Sequence, residues 1–422
     1  MYFIGIDWAD QKYDVVILDD NGHYACPKFE IDKTADGFDR FIKKLNRLAT
    51  NSADFKISIE TPHNLIVDYL LDKNYPVYLL PPSSMRSFRK RYRSTNARDD
   101  HYDAFVIADV ARTDKTCCKI IERSSQLTQE ITELVFDHHR IVEKQVAIHN
   151  AFKEVLKSYY PEYIHFFKNI SCQSSLAFFQ QHPTIYDAKQ LSKKQLIDFF
   201  KAQRYFRTES VHKIYRILNS NHLKVEEHII RIKSSKALFY ATILNTFNIY
   251  CQDCFNNIKQ RLEIHPDADI FRSFPGVGDL SAARLIALFK DNRNLHQTPF
   301  PLQAKAGTCP VTEITGHDKK RNKIHKIVYF RKGCNKIYRD FIHLIAFSSI
   351  TKSEWCNQYY RQHRKMGHSH SQALRCLANT QLRILFAMWK NKTLYDENIY
   401  LAQKLRHETK CKKNKDKNPK KI

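Results

Sequence analysis

The chain has 422 residues, of which 43% are hydrophobic and 12% aromatic, a composition that supports packed cores and argues against overall disorder. Its 69 Lys and Arg residues outnumber 44 Asp and Glu residues, and the resulting formal net charge of +25 predicts a polyanionic partner, with nucleic acid the first expectation. An anionic membrane surface, or charge that serves only solubility, is the alternative. No apolar run reaches the about 18 residues that a membrane span needs, and the amino-terminal segment carries acid where a signal peptide carries base, so an intracellular protein is expected.

The cysteines favour a reduced protein without a disulfide framework. There are 11 of them, an odd number, scattered from Cys26 to Cys411. Only Cys251 and Cys254 have the spacing of metal ligands, and no second pair lies at zinc-finger distance. They are therefore predicted to be helical core residues.

Residues 1–118 are predicted to form an α/β domain. Short apolar runs alternate with helical patterns, and three strands precede the first helix along the chain. The predicted strands lie at 2–9, 13–20, 24–31, 55–60 and 76–80, and the predicted helices lie at 35–49, 64–73, 83–93 and 99–112.

Residues 119–266 are predicted to form a helical connector. Between 125 and 160 apolar residues recur in steps of three and four, which is typical of a coiled coil, and a helical stretch at 213–264 would be its antiparallel partner. His138 and Gln145 interrupt the seam and could set its register, while a plain helical hairpin is the alternative. The seam positions are Leu127, Ile131, Leu134, His138, Ile141, Gln145, Ile148, Phe152, Val155 and Tyr159.

Residues 267–398 are predicted to form a mainly helical domain that begins with a helix-hairpin-helix, FRSFPGVGDLSAARLIALF at 271–289. Gly276 and Gly278 would let backbone N–H groups approach a phosphate where the next helix begins, and a simple interhelical turn is the alternative. Nine Lys or Arg residues follow between Lys319 and Arg339, on a shaped loop or on a solvated basic face. The lysine-rich tail, 399–422, is predicted to be disordered.

Two carboxylates of the helix predicted at 99–112 lie on its apolar side. At about 100° per residue, Asp100 and Asp103 share one face, whereas Asp99 and Asp109 lie elsewhere. Buried acids without cations are costly, so this face requires either arginine partners or metal ions. The apolar members of the face are Ala104, Ile107 and Ala111.

Two further acids end predicted strands. Asp7 ends the first strand and Glu60 the fourth, and ligands of open α/β sheets bind at such strand ends. Together with Asp100 and Asp103 they would hold two Mg²⁺ ions that activate the attacking oxygen and stabilise the leaving oxygen in phosphodiester cleavage. The alternative is that the two are ordinary strand-end residues and that the helical acids pair with Arg98 or Arg112.

In combination, the segments IGIDWA, ISIETP and ARDDHYDAFVIAD resemble the RuvC-like, ribonuclease-H-fold domain of DEDD insertion-sequence transposases. That family places a basic residue before Asp-x-x-Asp-Ala, which Arg98, Asp100, Asp103 and Ala104 match. The resemblance covers residues 1–115 and 267–396 and implies that Asp7, Glu60, Asp100 and Asp103 bind Mg²⁺ and are catalytic.

The second part of the resemblance contains one departure. The family carries a block Ala-Gly-x-x-Pro-x-x-x-x-Ser-Gly whose serine is the nucleophile, and the matching run AGTCPVTEITG at 306–316 places Thr315 at the serine position. Threonine also has a nucleophilic hydroxyl, but its methyl group restricts rotation and crowds attack at phosphorus. Thr315 is placed in a loop predicted from Cys309 to His317 and bounded by Pro310 and Gly316. It is therefore expected to be a slow nucleophile or an inactive one.

The resemblance implies a transposase or recombinase that cuts and rejoins DNA in the cytoplasm, in association with the nucleoid. It also implies a homo-oligomer in which acids and hydroxyl come from different subunits, and guidance by a structured RNA. The alternatives are a RuvC-type junction nuclease that uses the acids and water, and a catalytically silent nucleic-acid-binding protein. Residues expected to contact nucleic acid are Arg89, Arg91, Arg93, Arg98, Gly276, Gly278, Lys319, Lys320, Arg321, Arg331 and Lys332.

Overall fold

The structure, a computed structural model, describes residues 1–9, 11–61, 64–92, 100–114, 117–205, 207–318, 323–402 and 406. It describes the backbone only for residues 82, 83, 86, 90, 92, 100, 208, 315–318 and 323–326. The chain divides into two compact units, Met1–Ser124 and Ser125–Ile422. The first boundary lies close to the one predicted at 118, whereas the boundary predicted at 266 falls inside the second unit. Within the described residues, no helix is both long and apolar enough to span a membrane.

The first unit is the predicted α/β domain. Its sheet has the order β3-β2-β1-β4-β5-β6; β1, β4 and β5 run parallel to one another, and β2 and β6 each pair antiparallel with their neighbours. The strands are β1 (Tyr2–Trp8), β2 (Lys12–Leu18), β3 (Phe29–Asp32), β4 (Phe55–Ile59), β5 (Val77–Leu79) and β6 (Lys119–Ile120), and the helices are α1 (Ala35–Leu48), α2 (Leu65–Asp72), α3 (Pro82–Tyr92) and α4 (Asp100–Thr113).

The sheet of this unit is covered by helices on both faces. Side chains of a strand point alternately to its two faces, so Ile4 and Ile6 pack with α1 and α2, while Phe3 packs with α3 and α4. Every side chain of β4 is buried, as expected for a central strand between two helical layers. The strand β6 was not predicted, because two exposed residues carry no apolar pattern.

The second unit is mainly helical, as predicted, and is organised around two long antiparallel helices, α5 (Gln126–Tyr159) and α10 (Glu227–Leu262). Gln145 of α5 donates from Nε2 to Asn248 Oδ1 of α10 at 2.6 Å, so this polar seam position does contact the partner helix. The single stretch predicted at 213–264 was wrong. Helix α9 ends at Leu218 and α10 begins at Glu227, separated by the polar run NSNHLKVE, which contributes little apolar surface to a helix.

Shorter elements complete this unit around two hydrophobic clusters. One cluster joins the carboxyl-terminal half of α5 to α6–α9 and to the first part of α10, and the other joins the opposite ends of α5 and α10 to the remaining helices. The elements are α6 (Gln173–Gln181), α7 (Ile185–Lys189), α8 (Lys193–Ala202), α9 (Thr208–Leu218), α11 (Ala268–Arg272), α12 (Asp279–Phe289), α13 (Phe300–Lys305), the strands β7 (Val311–Asp318) and β8 (Lys323–Tyr329), α14 (Lys336–Ser349), α15 (Glu354–Lys365) and α16 (His370–Asn391).

Candidate active site

Three of the four predicted carboxylates lie on the same face and at the same end of the sheet. Asp7 and Glu60 directly follow Ile6 and Ile59, which are paired across the parallel strands β1 and β4. Because Ile6 and Ile59 point to the α1–α2 face, their successors Asp7 and Glu60 point to the α4 face. Asp103 is buried near the beginning of α4, with 7% of its surface exposed.

A glycine in β1 allows α4 to approach the sheet closely enough for this arrangement. A Cβ atom at Gly5 would lie 1.9 Å from the carbonyl oxygen of Ala104 and 2.6 Å from the amide nitrogen of Ala108. Any side chain there would therefore push the helix away. Gly5 precedes Asp7 by two residues and Ala104 follows Asp103, so the contact sets the spacing between the strand-end and the helical carboxylates.

The two ends of α4 are also anchored to the sheet. At the amino-terminal end, His101 Nδ1 lies 2.7 Å from Asp14 Oδ1 of β2. At the carboxyl-terminal end, the buried Lys56 of β4 donates from Nζ to the carbonyl of Ala111 at 2.9 Å, and a cation at this end of a helix is favoured by the helix dipole. Asp103 is thus carried by a helix that is fixed at both ends and in its middle.

The carboxylates gather around Arg89 of α3. Its guanidinium group makes a bidentate pair with Asp103, with distances of 2.6 Å from Nε to Oδ1 and 2.7 Å from Nη2 to Oδ2, and Nη2 lies 4.0 Å from Glu60 Oε2. Burial lowers the pKa of Arg89, but the hydrogen bond to Asp103 and the attraction of Asp103, Glu60 and Asp7 outweigh it and raise that pKa overall. Arg89, predicted to bind nucleic acid, is therefore the counter-ion of the acids.

The remaining acids of α4 differ partly from the prediction. Asp109 was placed away from the buried face, yet it is buried and accepts two hydrogen bonds from Arg112, at 2.9 and 2.6 Å. The reason is that residues 103–111 of α4 are buried on more than one side, apart from the half-buried Phe105. The backbone of Asp100 opens the helix, one turn before Asp103, while Arg98 and Asp99 lie outside the described residues.

This donor set suits a hard divalent cation. Carboxylate oxygens are the ligands that Mg²⁺ and Mn²⁺ prefer, and a guanidinium held between them indicates that the acids require positive charge. Asp7, Glu60 and Asp103 are brought together by the fold, and Asp100 lies on the same helix as Asp103. The site is therefore compatible with divalent metal binding.

The run that carries Thr315 is a strand. The loop predicted between Cys309 and His317 was wrong, because the β-prone residues of VTEIT extend into the hairpin β7–β8. The pairing shifts by one residue between Ile314 and His317, so Thr315 and Gly316 occupy a β-bulge. Bulges redirect side chains and are frequent beside active sites.

The predicted nucleic-acid contacts are distributed unevenly. Gly276 has a positive φ of 82°, and a Cβ atom there would lie 2.8 Å from the amide nitrogen of Ser349, so close packing against α14 also requires this glycine. Gly278 faces open space just before α12. Arg331 donates from Nε to the carbonyl of Cys309 at 3.3 Å, and Arg91 and Lys332 are exposed. The others, Arg93, Arg98, Lys319, Lys320 and Arg321, lie outside the described residues.

A cationic cluster of Arg339, His343 and Arg375, which was not predicted from the sequence, lies beside the hairpin. Burial, Arg375 and Arg339 lower the pKa of His343, and burial together with Arg339 lowers the pKa of Arg375. Within the described part of the chain, His343 Nε2 and Arg375 Nε are buried without a hydrogen-bond partner. The guanidinium of Arg375 stacks 4.3 Å from the ring of Phe330, which follows β8. Arg339 and His343 lie on α14 and Arg375 lies on α16, so only the packing of these two helices brings the three side chains together.

Comparison with known proteins assigns the chain to a family. Residues 4–161 match the DEDD transposase model of the IS110 type, described as a transposase, and residues 268–361 match the transposase family of IS116, IS110 and IS902. The chain is 27% identical over 403 residues to the Streptomyces coelicolor protein named "Mini-circle putative transposase for IS117", covering 94% of this chain and 95% of that protein. It is 23% identical to an uncharacterised protein of insertion element IS110 from the same species, covering 78% and 79% of the two chains. The matched regions include both the carboxylate site and the Thr315 hairpin, and the chain belongs to the IS110 family of DEDD transposases.

Proposed function

We propose that this transposase cleaves and rejoins DNA with Mg²⁺ held by Asp7, Glu60, Asp100 and Asp103. The observation that carries the proposal is the gathering of three of these carboxylates around the Arg89 guanidinium at one end of the sheet. Bound Mg²⁺ would activate the attacking oxygen and stabilise the leaving oxygen at phosphorus. The acids fix the position of the metal because the strands and the helix that carry them are packed together.

The topology supports an RNase H-like, RuvC-like assignment for the first unit. Two antiparallel pairings, β3–β2 and β2–β1, precede the parallel strands β4 and β5. Asp7 lies near the end of the central strand β1, and Glu60 directly follows the central strand β4. An open sheet of this kind binds ligands beyond the carboxyl ends of its parallel strands. A DNA phosphate located there would contact the metal while its neighbours contact the exposed basic surface.

Thr315 is proposed as the nucleophile that joins the chain covalently to DNA. Its backbone lies in the bulge of β7, and the hairpin is followed by Arg331 and adjoined by the cationic cluster of Arg339, His343 and Arg375. Arg339 and Arg375 repel one another, and a phosphate between them would relieve that repulsion. The cluster therefore supports binding of the scissile strand next to the hydroxyl.

The family further suggests a homo-oligomer whose acids and hydroxyl come from different subunits, and guidance by a structured RNA. The net charge of +25 supports a large polyanionic partner of either kind, DNA or RNA. The lysine-rich tail adds to that attraction through charge alone.

One reaction tests the proposal. The purified protein is incubated with the ends of its own element, the noncoding RNA of that element and Mg²⁺, and the products are separated on denaturing gels with and without protease. Joined strands and a protein–DNA adduct support the recombinase. Nicks without joining favour a metal-dependent junction nuclease, whereas binding without cleavage favours a silent binding protein.

The basic surface is tested separately by salt. Binding should fall log-linearly with salt, with a slope of about 0.7 to 0.9 for each neutralised phosphate. Replacing Arg375 with Gln should lower that slope by about one unit, while the same change at the exposed Arg40, which pairs with Asp32 at 2.8 Å, should leave it unchanged. A slope unaffected by Arg375→Gln would remove the cationic cluster from the interface.

A further inference from the structure

A group of side chains that could bind a metal ion lies in the second unit, where α15 turns into α16. His363 lies in the last turn of α15, His368 in the connection that follows, and Cys376 in the second turn of α16. The chain turns at Gly367, and the amide of His368 donates to the carbonyl of His363 at 3.2 Å. The fold thereby places three side chains from one α15–α16 corner around a common point.

The ligand atoms lie close enough together to converge on one borderline-soft cation. The Nδ1 atoms of His363 and His368 are 3.0 Å apart, and one ligand atom from each of the two histidines and from Cys376 lies within 4.8 Å of the others. In tetrahedral zinc the bond lengths imply about 3.3 Å between two nitrogens and about 3.6 Å between nitrogen and sulfur. The histidine pair would therefore open by only a few tenths of an ångström.

The surroundings keep these ligands in place. The ring of Tyr359 packs on His363 with centroids 4.6 Å apart, and Arg364 donates from Nη1 to the carbonyl of His368 at 2.6 Å. All three ligand residues are half-buried, so an ion would be partly shielded yet accessible to solvent. Imidazole nitrogen and thiolate sulfur together select Zn²⁺ over Mg²⁺, which the carboxylates of the first unit prefer.

We propose that His363, His368 and Cys376 bind one Zn²⁺ ion that fastens the end of α15 to α16. Three protein ligands leave the fourth tetrahedral position to a water molecule. Zinc binding replaces the proton of the Cys376 thiol and the hydrogen bond between the two imidazoles. The ion has a structural role in this corner and takes no part in the proposed chemistry at the carboxylates.

The proposal is tested on the full chain, purified without a polyhistidine tag and stripped with a chelator. Co²⁺ is added as a spectroscopic substitute for Zn²⁺. We expect the intense visible bands of tetrahedral Co²⁺ together with a thiolate-to-cobalt charge-transfer band, both abolished by an equimolar addition of Zn²⁺. Carboxylate-bound Co²⁺ gives no thiolate band, so the first unit does not interfere.

Matched variants locate the site. Cys376→Ser should eliminate the charge-transfer band, and His368→Gln, in the connection and outside the helices, should weaken Co²⁺ binding at least tenfold even if the cysteine variant fails to fold. Cys251→Ser and His370→Gln should retain the band, because Cys251 lies on α10 and His370 Nδ1 contacts the hydroxyl of Tyr360 at 2.7 Å. Absence of the band from the wild-type protein, or its persistence in both Cys376→Ser and His368→Gln, would overturn the proposal.

Discussion

The carboxylate cluster and the Thr315 hairpin are built in opposite ways. Asp103 is buried, and its helix is fixed at Gly5, at His101 and at Ala111. The described side chains of β7 and β8 are exposed, including apolar ones: Ile314 is 65% exposed and Val328 is 57% exposed. One region is held by its own packing, and the other presents apolar and polar surface to solvent.

This difference indicates what fixes the position of the reacting groups in each region. A site whose ligands are fixed by packing is ready before its substrate arrives. A two-stranded hairpin with exposed apolar side chains is only marginally stable alone, so contact with a partner stabilises it. We infer that the acids are preorganised and that nucleic acid or another subunit orders the Thr315 hairpin.

The most damaging single change should be Gly5→Ala. The new methyl group would lie 1.9 Å from the carbonyl oxygen of Ala104, so α4 must leave the sheet, at a cost of about 3 kcal/mol or more. Unfolding in urea measures the loss. Gly333→Ala is the matched control, since a Cβ atom there meets nothing within 4 Å, and equal stability of the two variants would contradict the close packing of β1 and α4.

Replacing Asp103 and Asp109 in turn should separate the loss of DNA cleavage from the loss of stability. Asp103→Asn keeps the shape of the side chain but removes the negative charge that the proposed metal site requires. Strand cleavage should therefore fall more than about 100-fold, because even groups that only support metal ligands cost up to about 100-fold when they are replaced. Asp109→Asn, equally buried on α4 but paired with Arg112, should lose stability and retain cleavage. Cleavage lost equally in both variants would argue against a specific metal role for Asp103.

Substitutions of Thr315 test whether its hydroxyl is the nucleophile. Thr315→Ser removes only a methyl group and should increase strand transfer several-fold, because attack at phosphorus becomes less crowded. Thr315→Ala should eliminate covalent protein–DNA adducts, measured on protease-treated gels. Thr312→Ala, three residues earlier on the same exposed strand, is the control. Adducts that persist in Thr315→Ala and disappear in Thr312→Ala would assign the nucleophile to Thr312.

Much of the first unit follows from local sequence. The observed helices α1 to α4 begin and end within one residue of the predicted positions, because their apolar spacing matches the helical period and Thr34 caps the first one. The separation of α9 from α10 was missed, since helical periodicity on both sides of 219–226 outweighed the polar residues between them. The bulge at Thr315 depends on strand pairing, which a single strand does not encode.

The acids were easier to predict than their cations. The faces of helices and strands follow a regular period, so spacing alone predicted that Asp7, Glu60 and Asp103 would lie close together. Arg89 stands in the run FRKRYR among several equivalent-looking basic residues, and only packing determines which one faces the acids. The proposed zinc ligands His363, His368 and Cys376 were missed because their separations along the chain match no familiar zinc motif. Only the turn between α15 and α16 brings them together.

The smallest predicted effect concerns Arg89, and it tests whether guanidinium and metal neutralise the same acids. Arg89→Ala leaves the buried carboxylate of Asp103 without its cation, so the midpoint of thermal unfolding in a chelator should fall by on the order of a few degrees. Saturating Mg²⁺ supplies the missing charge and should restore most of the loss, whereas Arg89→Lys should show a smaller loss because it keeps a positive charge. Asp103→Asn, which removes a proposed metal ligand, should gain little stability from Mg²⁺. If Arg89→Ala is equally destabilised with and without Mg²⁺, the metal binds elsewhere and Arg89 has a structural role only.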